Sequence, residues 1–154
     1  MTTVPAISYY IAVYRALSAR EQKALLASLV LLPLFWLGLR LAGLQRFQAW
    51  LDSFPVARRA PLTDAEAADL GVAVNRAANH LLGPASCLTR SLLLRWLLRR
   101  FGTASDLRIG VSFEAGKLAA HAWVEIDGSP VNDRPEAVAR FAAFDQPVSP
   151  EMFL

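Results

Sequence analysis

The chain has 154 residues, a net charge of +3, one cysteine and two histidines, and 55% of its residues are apolar. That length suits a single domain with a real core, and a lone cysteine excludes a disulfide framework and fits a reducing, cytoplasmic compartment. The arginines are scattered instead of forming a basic face with stacking aromatics, which argues against nucleic acid, and one cysteine with two distant histidines makes no metal site.

Residues 5–16 read as a short helix. Ser18-Ala19-Arg20-Glu21 has the pattern of a capping box, so the next helix starts near residue 19 and runs, whole or broken, to about 42, with Pro33 expected to kink or divide it. Most of the excess hydrophobicity lies in residues 24–44. Between Lys23 and Arg40 stand 16 uncharged residues, short of the ~20 that span a hydrocarbon core. The stretch starts too late for a secretory signal and lacks its small-residue cleavage site. Three readings stay open for it: a helix docked on the rest of the chain or on a partner protein, a peripheral contact with a membrane surface, and a true span. Leu44 to Leu51 adds a further turn or two. Asp52 to Leu62, with Pro55, Arg58, Arg59 and Pro61, reads as a linker.

Thr63-Asp64-Ala65-Glu66 repeats the capping pattern and begins a helix that runs to about His80. Gly83-Pro84 breaks the chain, Ser86 is a capping residue type, and a helix follows from 86 to about 100, ended by Gly102. Leu107 to Phe113, Leu118 to Ile126 and Pro130 to Asn132 read as strands, and Glu136 to Ala143 as helical. The fold class is α+β: N-terminal helices, then a helix packed on a small antiparallel sheet. Residues 1–62 form an apolar helical region and 63–154 a core, the two making one structural unit.

Cys87 opens the helix at 86–100, and His121 and Asp133 follow on two arms of one hairpin. Attack on a carbonyl needs a thiolate, and the unpaired N–H groups of a helix N-terminus favour an anion. An imidazole must take the thiol proton and return it to the leaving amine, while a carboxylate fixes the imidazole's tautomer. With a three-residue loop at 127–129, Asp133 falls diagonally opposite His121 on one face; a two-residue loop puts them on opposite faces. Each residue also has a plain reading. A cysteine on an apolar helix is usually a small buried hydrophobe, the histidine fits a half-buried strand residue bonded to a carbonyl, and Asp133 fits turn chemistry. Asp127 is a rival acid, although Asp-Gly is common at hairpin tips. Asn79 and His80, with Asn75, are the candidate side-chain donors for an oxyanion. Arg90, one turn after the cysteine, has Glu125 or Asp133 within sequence reach as a partner.

Several short stretches together resemble the transglutaminase-like cysteine peptidase that removes the leader from lasso-peptide precursors: Cys87-Leu88-Thr89-Arg90-Ser91-Leu92, the close Leu98-Arg99-Arg100-Phe101-Gly102, Ile109-Gly110-Val111, Ala120-His121-Ala122-Trp123-Val124-Glu125 and Val131-Asn132-Asp133. The resemblance covers about Cys87 to Phe144. It implies a transglutaminase-like or papain-like core, nucleophile Cys87, base His121 and orienting acid Asp133, no cofactor, and hydrolysis of the bond between leader and core peptide. A separate ATP-dependent synthetase would then close the macrolactam. It also implies a shallow substrate subsite near Trp123. The chain shows no leader-binding winged-helix module, so the resemblance further implies a separate small leader-binding protein, with residues 24–44 as its docking face or as a membrane contact. Two other readings compete: an acyl transferase that uses an amine in place of water, and a membrane-associated helical adaptor in which Cys87 is inert.

Overall fold

A computed structural model describes residues 7–57, 60–81, 86–114 and 116–144. Two reciprocal caps set the helical half. After α1 (Ile7–Ala16), Ser18 accepts the N–H of Glu21 while its own N–H donates to the Glu21 carboxylate at 2.7 Å, and α2 (Ala19–Asp52) begins. Thr63 and Glu66 make the same exchange at the head of α3 (Asp64–His80), the carboxylate accepting at 2.9 Å. Each box satisfies two N–H groups that a helix start would leave unpaired.

The expected break at Pro33 is displaced to Gly43. Pro33 lies exposed within continuous helix, whereas Gly43 takes φ 75° and ψ 166°. A proline on the outer side of a helix removes one donor; only a glycine readily adopts the backbone region at Gly43. The turn there folds the chain back, so that Phe47 meets Phe35 edge to face with ring centroids 5.3 Å apart.

The core draws on α2 (Leu32, Phe35, Phe47, Leu51), α3 (Leu70, Val74, Ala77) and α4 (Cys87–Arg100; Leu92, Leu93, Leu94, Leu98), closed by Leu107 and Val124 from the sheet. Regions 1–62 and 63–154 thus share one apolar cluster. By length and composition α2 could cross a membrane, yet it has two unlike sides. Leu32 and Phe35 are buried, while Leu26, Val30, Leu34, Leu37 and Leu41 are exposed.

The stretch read as a linker is fastened by the arginines of α4. Arg95 pairs with Asp52 at 3.1 Å, Arg99 donates to the carbonyls of Asp52 and Phe54 at 2.7 Å each, and Arg100 donates to that of Pro55. Guanidinium groups thus take up carbonyls that the end of α2 leaves without helical partners. Gly102 ends α4 as expected, with Thr103 N–H returning to the Leu98 carbonyl and Gly102 N–H to that of Arg99. The Gly83-Pro84 breaker lies outside the described residues.

The sheet is antiparallel throughout, in the order β3-β2-β1-β4: β1 (Asp106–Glu114), β2 (Lys117–Ile126), β3 (Ser129–Pro130) and β4 (Ala142–Ala143). The segment 136–143 is therefore only partly helical. The helix α5 (Pro135–Val138) stops early, and Ala142 and Ala143 pair with Val111 and Gly110 because β1 offers an unfilled ladder there, which Phe144 N–H extends to the Ile109 carbonyl.

The hairpin loop also differs from expectation. Ile126 stands opposite Ser129, so the turn is the two residues Asp127 and Gly128, with φ of 49° and 79°. Positive φ at both positions is the turn that matches strand twist. The ladder then continues only to Val131, whose N–H meets the Val124 carbonyl at 2.9 Å. Val124 N–H turns instead to the Asn132 side chain at 2.9 Å. Beyond that point the chain bends, strict alternation no longer applies, and Asp133 reaches His121 despite the two-residue turn.

A Cβ at Gly43 would meet nothing within 4 Å, so Gly43→Ala isolates the backbone cost of its conformation. The expected loss is about 1–3 kcal/mol of unfolding free energy, read as a lowered urea midpoint at unchanged slope.

Candidate active site

Ser86 caps α4: its hydroxyl oxygen accepts the Thr89 N–H at 3.3 Å, and its carbonyl accepts that of Arg90. Cys87 is the first helical residue and half-buried. Its own N–H and that of Leu88 have no partner among the described residues. A pocket of about 160 Å³ opens there, lined by Asn75, Cys87, Arg90, His121, Ala122, Asn132 and Asp133. In the same pocket His121 Nε2 lies 2.7 Å from Asp133 Oδ2. With Nε2 committed to the carboxylate, Nδ1 is the nitrogen left to exchange a proton. A larger cavity of about 480 Å³ lies between the start of α2, α3 and the end of α4. It is lined by neither the cysteine nor a histidine.

His121 is held on three sides. Asp133 grips one nitrogen, Trp123 lies roughly parallel at 6.1 Å between centroids, and Phe141 stands 5.0 Å away. Trp123, expected at a substrate subsite, is itself only 2% exposed, donates its indole N–H to Glu125 at 2.7 Å, and does not line the pocket. As a strand neighbour of His121 at i+2 it supports that ring from the buried side.

The segment that carries Asp133 is held from two directions. From α4, Ser91 donates its hydroxyl to the Ala122 carbonyl at 3.0 Å and accepts the Asn132 amide at 3.0 Å; all three residues are buried. Ser91 lies one turn after Cys87, and Ala122 and Asn132 adjoin His121 and Asp133. From α3, Asn75 donates to the Asn132 carbonyl at 2.7 Å, and one turn earlier Gly71 lets the Val131 carbonyl within 2.8 Å of where a Cβ would stand.

The sequence profile of the transglutaminase-like superfamily matches residues 29–144. The chain belongs to that superfamily. No curated protein and no solved structure shows significant similarity to it. Membership of the transglutaminase-like superfamily points to a cysteine peptidase or an acyl transferase. The match begins within α2, at a residue that packs against the core.

Among the candidates for an oxyanion donor, Asn79 and His80 lie outside the pocket lining, with Asn79 3.5 Å from Arg90, while Asn75 lines it. Arg90 lines the pocket, and of the two acids offered to it in the sequence Glu125 lies 3.6 Å from Arg108 and Asp133 lies 2.7 Å from His121. Asp127 is exposed at the hairpin tip. No group of three metal-ligating side chains occurs among the described residues. Ser91, Asn132 and Gly71 were not singled out from sequence. The available signal was Ser91 itself, a polar residue set against Leu92-Leu93-Leu94 one turn after the cysteine.

Ser91→Ala leaves the Ala122 carbonyl and the Asn132 amide without their buried partner. The expected cost is about 1–3 kcal/mol, measured as a shift in urea midpoint, with Ser86→Gly, whose cap is solvent-exposed, losing only a few tenths of a kcal/mol.

Proposed function

We propose that this protein is a cysteine peptidase that removes the leader from a lasso-peptide precursor. The observation that carries the reading is the His121–Asp133 pair at 2.7 Å in the pocket that Cys87 lines from a helix N-terminus. In this mechanism Asp133 holds the imidazole so that its free nitrogen takes the thiol proton, and the Cys87 sulfur attacks the scissile carbonyl. The tetrahedral oxyanion is met by the Cys87 N–H and by Asn75, whose amide has a second N–H beyond the one given to Asn132. His121 then protonates the leaving amine, and water attacks the thioester with His121 again as base. Superfamily membership supports a cysteine peptidase or acyl transferase, and the sequence resemblance alone supports the leader-peptidase role and its precursor; the same thioester passed to an amine gives the alternative acyl transfer.

A separate leader-binding protein completes the enzyme in this reading. The row Leu26, Val30, Leu34, Leu37, Leu41 supports a docking role for α2, because its spacing follows one helix face and none of it is buried in the core. Leu29 packs against the core, so a charge there would test folding, and the outer row is the place to substitute.

The decisive experiment is mass spectrometry of a lasso-type precursor incubated with this protein and its leader-binding partner. Cleavage at one site should disappear in Cys87→Ala and His121→Ala and fall about 10⁴-fold in Asp133→Asn, the loss expected when the imidazole adopts the wrong tautomer. Persisting cleavage in Cys87→Ala ends the thiol mechanism, and conversion of an added amine donor without hydrolysis moves the assignment to acyl transfer. Separately, Leu34→Glu with Leu41→Glu should abolish capture of the partner in a pull-down while leaving the fold intact by circular dichroism; loss of vesicle flotation with capture retained would assign the row to lipid.

A further inference from the structure

Strand β2 pairs with β1 from Lys117 to Glu125, but on its other side, among the described residues, only Glu125 and Ile126 pair, with Pro130 and Ser129. The direction of its backbone groups can be followed residue by residue. Val124 sends its N–H to Asn132 and its carbonyl to Val131, both away from β1. Ala122 sends its carbonyl the same way, to Ser91. Because backbone groups of antiparallel strands alternate between the two sides, Ala120 and Leu118 also aim their N–H and C=O at the outer edge. Residues 117–120 are exposed, and among the described residues no strand lies against them.

An edge of this kind is normally protected by a proline, a charge or a bulge. Lys117 places one charge at the start of the edge; past it, Leu118-Ala119-Ala120 has none of these, and its two alanines leave the backbone uncovered. The edge is also continuous with the site: Ala122, two residues along, lines the pocket with Cys87 and His121. We infer that an extended segment of the peptide substrate adds to β2 as its next strand, hydrogen-bonding to Ala120 and Leu118, and so delivers its scissile carbonyl to Cys87. The inference rests on the peptidase reading. At about 3.3 Å per residue, Ala120 and Leu118 hold substrate residues about two and four positions from the bond that is cut.

Ala120→Pro tests this, because it removes the N–H aimed at the open edge without touching the ladder to β1. With a lasso-type precursor peptide as the probe and the leader-binding partner present throughout, the expected result is a fall of about tenfold in kcat/KM, the worth of one lost hydrogen bond. It should be carried by KM, with the rate of Cys87 alkylation by iodoacetamide unchanged. A second arm leaves the enzyme unaltered: precursors with a single backbone N-methyl group should lose cleavage at alternate positions on one side of the scissile bond and tolerate it at those between. Equal cleavage by Ala120→Pro together with no period-two pattern overturns the edge assignment and leaves the peptidase standing. Failure of the wild type to cut the parent peptide overturns the peptidase reading and this inference with it. A dimer that Ala120→Pro dissociates at unchanged kcat/KM would show that a second copy of the chain occupies the edge, and would also overturn it.

Discussion

The structure turns on the point where the β2–β3 ladder stops. At Val124 the acceptor that a continuing strand would offer is replaced by the side chain of Asn132, at 2.9 Å. A buried backbone N–H left unpaired would cost about as much as a lost hydrogen bond, so Asn132 lets the chain leave the sheet without that cost. Its amide then reaches Ser91 on α4 and its carbonyl receives Asn75 from α3. One residue thereby joins a strand, two helices and the bend that presents Asp133. Such a network constrains geometry well only when every member is satisfied, and here the donors and acceptors of the Asn132 side chain, the Ser91 hydroxyl and the Ala122 carbonyl account for one another.

The candidate triad follows from this arrangement with few further requirements. Cys87 and Ser91 share a face of α4, so fixing Ser91 on Ala122 also fixes the distance of Cys87 from the strand that carries His121. The imidazole is then confined by Trp123, Phe141 and the Asp133 carboxylate. Gly71 adds a constraint of a different kind, since it acts by having no side chain: α3 can lie against the Val131 carbonyl, and Asn75 comes within reach of Asn132 one turn later. Three elements of the scaffold thus converge on the backbone at 131–133, two residues of which line the pocket.

Much of this was legible in the sequence. Capping boxes at Ser18 and Thr63, the stop at Gly102 and the pairing of β1 with β2 depend on neighbours within a few residues; the caps and the stop occur as read, and the two strands run closer to their turn, Glu114 pairing with Lys117. The errors arose where a long-range contact decided between local options. Gly43 and Pro33 are both helix breakers by type, and the packing of Phe47 on Phe35 selects the glycine. The three-residue loop expected at 127–129 follows from carrying strict alternation to Asp133, whereas the turn is Asp127-Gly128 and nothing local announces that Asn132 ends the ladder. The strand Ala142–Ala143 depends on the free edge of β1, which only the assembled sheet exposes. At the site, Cys87, His121 and Asp133 were identifiable from residue type and order. Ser91 and Asn132 were not, because a serine and an asparagine become informative only once their partners are known.

The long apolar helix now has two separate explanations, one for each side. Its inner side is required by the fold: Leu32, Phe35, Phe47 and Leu51 supply buried surface that α3, α4 and four short strands could not provide among themselves, and the superfamily match accordingly begins inside α2. Its outer row, from Leu26 to Leu41, contributes nothing to that core. Each large apolar side chain left in water forgoes about 1.5–3 kcal/mol of burial, and five of them on one face make a continuous patch larger than chance surface residues require. The high hydropathy of the sequence is therefore the sum of a core requirement and an exposed apolar row, and only the first of these is accounted for by packing among the described residues.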